Sequence, residues 1–539
     1  MKLSLFSSLS LLAASAEAAN QFARRPRLAP PIVEGEAELY PIASGSYPTV
    51  TNGTGFFTQL LNHDDPSAGT FQQRYFWNAE FYRGPGSPVV FFTPGEISAT
   101  NYGGYLTNAT ITGLYAQEIG GAVVMVEHRY WGDSSPYDEL NAETLQQLTL
   151  KNALADFVNI AKTIDLPFDT NHSSNADKAP WVLSGGSYSG AIAAWMESTS
   201  PGTFWAYHAS SAPVEAIYDY WQYFYPIQQG MAKNCSTDVS RVIDYLDFVL
   251  TFGSKSEVND LKAKFGLEGV EHNDDFAVIL ANGPYLWQSN SFYTGYSGFF
   301  QFCDAIEGVE AGAAKVPGPN GVGLTKALAN YAAYVNSTIL PGYCESLGYN
   351  GTYNVECFNT YDPNNIYFTA SHVEDEAVVF NDRQWVWMTC NEPFAYWQDG
   401  APFGRSTIVS RLVTAQYYQR QCGMFFPTVN GYTYGSANPK VNEAALNAKT
   451  QGWNLVNTTR LIWTNGEFDP WRTSGVSSQF RPGGGLASTP QHPVQIIPGG
   501  FHCSDLRLLN GAVNAGVQNV IDNEVAQIVA WVKEFYDQK

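Results

Sequence analysis

Residues 181–190 read WVLSGGSYSG, an apolar run (Trp181, Val182, Leu183) that ends in small residues around Ser187 and passes into the helix-compatible AIAAWMES. Strand, sharp turn and helix in that order form the pattern of a nucleophile elbow. Such a turn is tight enough to push its central serine into a sparsely populated backbone region. A side chain on either flank would collide with the neighbouring strand or helix. Gly185 and Gly186 stand before the serine, and Ser189 and Gly190 follow Tyr188. The usual string is G-x-S-x-G; here Ser189 holds the place of the second glycine and Gly190 comes one step later. Taken alone, the stretch also reads as an ordinary Gly/Ser turn between a strand and a helix, so its surroundings decide.

Those surroundings alternate. SPVVFFTPGE and GAVVMVEHRYWGD are buried, parallel-type strand runs, and FQQRYFWNAEFY, alternating and aromatic, reads as an antiparallel edge hairpin. ITGLYAQEIG and a segment near residues 142–164 read as helices, and TFWAYHASSAP gives a short strand after the elbow helix. Strands alternating with helices predict an α/β fold with a mostly parallel sheet covered on both faces. From about residue 215 the text turns helical and loop-rich, and sheet grammar resumes at RLIWTNGEFDPW and PVQIIPGGFHCSD. NEVAQIVAWVKEFY closes the chain as an amphipathic helix. The expected organisation is a signal peptide over 1–18, a flexible arm or pro-segment over 19–45, core over 46–214, an inserted and mainly helical cap domain over 215–404, and core again over 405–539.

MKLSLFSSLSLLAASAEAAN has one early Lys, an apolar stretch from Leu3 to Leu12 and an A-x-A site at Ala16-Glu17-Ala18, the layout of a secretory leader. Arg24-Arg25 is a candidate processing site, opposed by the Pro that follows. No later segment approaches ~18 uninterrupted apolar residues, so no membrane association of the mature chain is expected. Seven N-x-S/T sequons, at Asn52, Asn108, Asn171, Asn234, Asn336, Asn350 and Asn457, fit a glycosylating route to a secreted or vacuolar destination. Of seven cysteines, most should pair in such a compartment, with one left over; sequence does not fix which. No CxxC or His-rich spacing is present, so neither a metal nor a cofactor is expected. A net charge of −21 argues against a nucleic-acid partner, because phosphate binding needs clustered Lys and Arg. The pI near 4.7 is compatible with an acidic working environment.

A serine hydroxyl is a poor nucleophile unless a base takes its proton, and the base needs an acid to hold its tautomer. On an α/β-hydrolase scaffold the order is Ser, Asp or Glu, then His, each in a loop after a strand. Five histidines follow Ser187: His208, His272, His372, His492 and His502. His502 follows PVQIIPGGF and precedes the last helix, so it is the candidate base. His208 sits inside an apolar strand, His272 and His372 fall in the cap, and His492 precedes its strand. The acid should lie in LIWTNGEFDPW, where Asp469, fixed by Pro470, competes with Glu467. Asp469 is the favoured choice. The oxyanion hole should combine the Tyr188 N–H with that of Gly95 or Glu96 in the Thr93-Pro94-Gly95-Glu96 loop. Pro94 has no N–H to give.

GGSYSG, VEHRYWGDSSP, NGEFDPW and GGFHCSDL together resemble the serine peptidase family of lysosomal Pro-X carboxypeptidase and dipeptidyl peptidase II, closest to its fungal secreted acid prolyl endopeptidases. EAIYDYWQYFYPIQQGM and NEPFAYWQDGAP extend the likeness into the cap. The resemblance implies an α/β-hydrolase core with a helical cap, and hydrolysis of peptides after proline, or alanine, at acidic pH. Matched motif by motif, Ser187 becomes the nucleophile, Asp469 the orienting acid and His502 the base. Ser189 matches the fungal form of the motif, and Glu127, His128 and Arg129 become scaffold. Proline asks for an apolar slot lined by flat rings. Trp471 and Tyr188 are its natural lining, with Phe394, Tyr396 and Trp397 of the cap as further candidates. Exopeptidase action, and a carboxylesterase or lipase on the same fold, are the competing expectations.

Overall fold

Strand pairing follows the apolar runs of the sequence. In the computed structural model, which describes residues 30–31, 52–375 and 382–539, eight strands form one sheet in the order β1-β2-β4-β3-β5-β6-β9-β10. Their bounds are β1 Asn52–Leu60, β2 Thr70–Asn78, β3 Val89–Phe92, β4 Ala122–Val126, β5 Trp181–Gly186, β6 Ala206–Ser210, β9 Leu461–Gly466 and β10 Val494–Ile497. From β4 to β10 every pairing is parallel, and β1 and β2 join antiparallel at one edge. The leader and arm expected over 1–18 and 19–45 lie outside the described residues, apart from Pro30 and Pro31. The carbonyl oxygens of those prolines accept hydrogen bonds from Tyr102 and Tyr105, each at 2.8 Å.

Period-two alternation sends the strand side chains to opposite faces. Val89, Phe91, Val124 and Leu183 point to one face, where Leu150–Thr163 (α2) and the elbow helix Tyr188–Thr199 (α3) cover them. Val90, Phe92, Met125 and Val182 point to the other, under Ile111–Ile119 (α1) and the C-terminal helix Ala515–Asp537. Such a doubly covered, mainly parallel sheet is the core of an α/β-hydrolase.

FQQRYFWNAEFY does not fold back on itself as expected. Thr70–Asn78 is one strand between β1 and β4, and the edge hairpin is formed with β1, which the sequence hides. Gly53 and Gly55 weaken the strand signal of β1, and Gly55 is required: a Cβ there would lie 2.6 Å from the Tyr75 ring. Between β6 and β9 the chain is helical, as expected, with one addition. Two short parallel strands, β7 Ile217–Asp219 and β8 Ala395–Trp397, tie the start of this insertion to a point far along it. Disulfides Cys235–Cys303, Cys344–Cys357 and Cys390–Cys422 all lie within the insertion, and Cys503 is free and buried. The expected boundary at 404/405 is crossed by Cys390–Cys422, and the sheet resumes only at Leu461.

The motif after β4 is held by buried charge. Arg129 donates to both oxygens of Asp156 at 2.6 Å and to the carbonyls of Leu60, Leu61 and Gln147. Glu127 accepts from Arg74, Ser134 and the Ala99 amide. Removing one partner of a buried pair leaves an uncompensated charge. Asp156→Ala should therefore lower folding free energy by about 3–5 kcal/mol, measured by urea unfolding. An unchanged midpoint would show that the pair does not hold β1 to α2.

Candidate active site

Ser187 follows β5 with φ 61° and ψ −128°, a conformation that non-glycine residues avoid. Its neighbours explain how the turn closes. A Cβ on Gly185 would lie 2.2 Å from the Ser189 carbonyl oxygen, and one on Gly190 would lie 2.6 Å from that of Ser210. The Ser187 amide donates to the same Ser210 oxygen at 2.8 Å. Ser189 is not a defect in the motif. Its Oγ donates to the Gly186 carbonyl at 2.7 Å and accepts from the Gly186 amide at 3.1 Å, stitching the turn from inside.

Two further loops bring their side chains to this hydroxyl. Asp469 follows β9 and caps the short turn Pro470–Ser474, its Oδ1 accepting from the Trp471 amide at 3.0 Å. Asn465 steadies the other oxygen from 3.3 Å. His502 follows β10 on a loop that presses against the end of β9, where a Cβ on Gly466 would lie 2.3 Å from the Phe501 oxygen. His502 Nδ1 lies 2.9 Å from Asp469 Oδ1, and Nε2 lies 2.8 Å from Ser187 Oγ. A carboxylate can only accept, so Nδ1 carries the hydrogen and Nε2 is left to receive the serine proton. Ser187 and Asp469 are fully buried, and His502 is 7% exposed. Glu467, the competitor for the acid position, accepts from the Gly499 amide at 2.8 Å and anchors the histidine loop instead.

Burial works against a charged His502, but the Asp469 carboxylate, 2.9 Å away and hydrogen-bonded to the ring, raises its pKa above the usual imidazole range. Burial pushes the Cys503 thiol up, so it stays protonated at neutral pH. Tyr188 opens α3, where a first-turn amide has no intrahelical partner. Gly95, at φ 78°, lies against it: a Cβ there would sit 3.3 Å from the Tyr188 ring. The Gly95 amide itself donates to Thr93 Oγ1 at 3.3 Å. Glu96 is buried in the same loop.

Four of the five residues expected to line a substrate slot form a chain of rings. Tyr188 meets Phe394 at 6.0 Å, Phe394 stacks on Tyr396 at 6.1 Å, and Tyr396 meets Trp471 edge-on at 5.4 Å. Trp397 does not join them, because its neighbour on β8 takes the inner side. It stacks on Tyr418 at 5.9 Å and donates to Gln419. Sequence reasoning missed Tyr220, Tyr223 and Gln288. Both tyrosines pack on Trp471, and Gln288 accepts from Trp471 Nε1 at 2.7 Å and from the Tyr223 hydroxyl at 2.9 Å. The aromatic run YDYWQYFY was the only signal for the two tyrosines, and Gln288 had none. His128, read from the sequence as scaffold, lies beside these rings, with its Nε2 3.2 Å from the Tyr188 hydroxyl. Burial lowers its pKa to about 4, so it is neutral and accepts from that hydroxyl while Nδ1 donates to the Arg129 carbonyl.

Ser189→Ala should destabilise the fold by about 1–3 kcal/mol, because it leaves the Gly186 amide and carbonyl without their partner. Gly185→Ala should prevent folding to a labelled state, since the clash is with backbone. Thermal unfolding and fluorophosphonate labelling of Ser187 check both; a wild-type labelling rate for Gly185→Ala would refute the packing argument.

The serine carboxypeptidase S28 family model matches residues 59–517. "Serine protease vicPa" of Bipolaris victoriae is 42% identical over 495 residues, 91% of this chain and 91% of that protein. "Serine protease vicPb" of the same organism is 40% identical over 493 residues, with the same coverage. "Lysosomal Pro-X carboxypeptidase" of Pongo abelii is 22% identical over 511 residues, 89% of this chain and 88% of that protein. With the elbow, the strand-end loops and the doubly covered sheet already described, the chain belongs to the serine carboxypeptidase S28 family of serine-type peptidases.

Proposed function

We propose that the chain is a secreted peptidase that cuts on the carboxyl side of proline, or alanine, within peptides, through Ser187, His502 and Asp469. The observation that carries the reading is the continuous hydrogen-bonded path from Ser187 Oγ through the imidazole to Asp469. His502 Nε2 takes the serine proton as Oγ attacks the peptide carbonyl. The oxyanion that forms is met by the Tyr188 amide and by that of Gly95 or Glu96. The imidazolium then gives its proton to the departing amine, leaving an acyl ester on Ser187. Water, deprotonated by the same nitrogen, cleaves that ester.

Proline selectivity is assigned to the rings of Tyr188, Phe394, Tyr396 and Trp471, flat apolar walls that suit a rigid pyrrolidine without an N–H. Secretion is supported by the leader pattern and by three disulfides in the insertion. Among the described residues no helix is long and apolar enough to cross a membrane. None of the seven sequon asparagines is buried, although the Asn336 amide is already engaged by the Lys264 and Ala332 carbonyls and is the least suited to a glycan. Exopeptidase action is the second reading, favoured by the relative named as a Pro-X carboxypeptidase. The insertion would then act as a cap that admits only a chain end.

Mass-spectrometric mapping of products from a long, end-blocked peptide with internal proline separates the two: internal cuts after proline are expected, and an untouched peptide assigns exopeptidase action. Ser187→Ala should lower kcat at least about 10⁴-fold. Trp471→Ala should reduce preference for proline over leucine at the cut position by about tenfold.

Acidic action needs a neutral His502, and the raised pKa of the free site opposes it, because an imidazolium cannot accept the serine proton. Bound substrate covers the site and further disfavours the charged ring. The acid limb of kcat should therefore fall at lower pH than that of kcat/KM. Coincident limbs, both above pH about 6.5, would rule out the acidic action that the family resemblance implies.

A further inference from the structure

Behind the reacting groups, on the face covered by the C-terminal helix, lies a second set of charges. His208 on β6 is fully buried, with Nε2 at 3.2 Å from Asp505 Oδ2 and 3.4 Å from Glu524 Oε1. Both carboxylates are buried as well. Two carboxylates so close in a low-dielectric interior repel strongly unless a positive charge lies between them. Burial disfavours that charge on His208, but Glu524 and Asp505 raise its pKa to about 10. The edge of the Tyr115 ring, 5.7 Å away, closes the remaining side.

What distinguishes this cluster is where its outer contacts lead. Ser184, three residues before Ser187 on β5, has its Oγ 3.1 Å from His208 Nδ1. Asp505 follows His502 by three residues, and its Oδ1 accepts from Ser210 Oγ at 2.7 Å; the Ser210 carbonyl receives the Ser187 amide. Glu524 accepts from Thr464, which precedes Asn465, the side chain that steadies Asp469. Each strand or loop that carries a reacting group therefore has one hydrogen-bonded foot on the cluster.

We propose that His208, Asp505 and Glu524 form a buried ionic node that positions Ser187, His502 and Asp469 relative to one another. The inference rests on the roles assigned above. These are positioning residues: they touch no substrate and act through β5, β6, β9 and the histidine loop. Small displacements at reacting atoms cost rate rather than binding, so the node should govern kcat and leave KM nearly unchanged.

Thr464→Val keeps the shape of its side chain and removes the bond to Glu524, whereas Thr464→Ser keeps the hydroxyl. Glu524→Gln keeps the shape and removes the charge. Each is compared with the wild-type chain well below its own unfolding temperature, by kcat and KM on a proline peptide and by the rate of fluorophosphonate labelling at Ser187. Expected is a fall of about tenfold or more in kcat and in labelling rate for Thr464→Val and Glu524→Gln. KM should stay within about twofold, and Thr464→Ser should recover the wild-type rate. Folded Thr464→Val and Glu524→Gln chains that label at the wild-type rate would overturn the inference alone. So would a change confined to KM, or about one divalent cation per chain by elemental analysis, since His208, Asp505 and Glu524 offer three ligand atoms within 4.8 Å of one another. Failure of the wild-type chain to label at Ser187 would overturn the triad reading and the node with it.

Discussion

The Ser210 carbonyl, at the end of β6, receives the Ser187 amide at 2.8 Å and lies where a Cβ on Gly190 would otherwise sit. That contact holds the elbow against its neighbouring strand and maintains a backbone conformation that costs about 1–3 kcal/mol when unsupported. Without it the helix after Ser187 could not begin where it does, and the hydroxyl would not reach the imidazole. The sheet supplies the rest of the support by geometry: parallel strands end on the same side, so loops after β5, β9 and β10 meet although their sequences are far apart.

Around this centre the helical insertion does more than cover the sheet. Trp287 Nε1 donates to the Phe468 carbonyl at 2.8 Å, Tyr220 donates to that of Pro470 at 3.2 Å, and Gln288 takes the Trp471 indole N–H. The loop bearing Asp469 is thus held by the sheet on one side and by the insertion on the other. The rings assigned to proline recognition belong to the same contact, since Trp471 stands between that loop and Tyr396.

Much of this was legible in the text because elbows and strand-end loops demand small residues at fixed places. Gly185, Gly466 and Gly500 mark close backbone approaches, and the side chains that meet follow shortly after each, while Gly190 makes room on the far side of Ser187. What the text hid follows from physics that is not local. Gly53 and Gly55 erase the strand signal of β1, and Gly55 makes room for Tyr75. The pairing of β7 with β8 joins segments far apart in sequence, and a three-residue strand has too little periodicity to announce itself. Trp397 and Tyr396 are adjacent and alike in composition, yet only pairing decides which faces inward. His128 looked like scaffold because the chain does not state that its ring ends at Tyr188. His208, read as a structural histidine in an apolar strand, shares its interior with two acids from the last part of the chain.

The grip of the insertion on residues 468–471 has a mechanical meaning. Trp287 and Tyr220 of the insertion bond to the backbone of the same short loop whose carboxylate steadies the imidazole. The covering layer and the acid beside His502 therefore share one set of bonds, and a displacement of either is transmitted to the other.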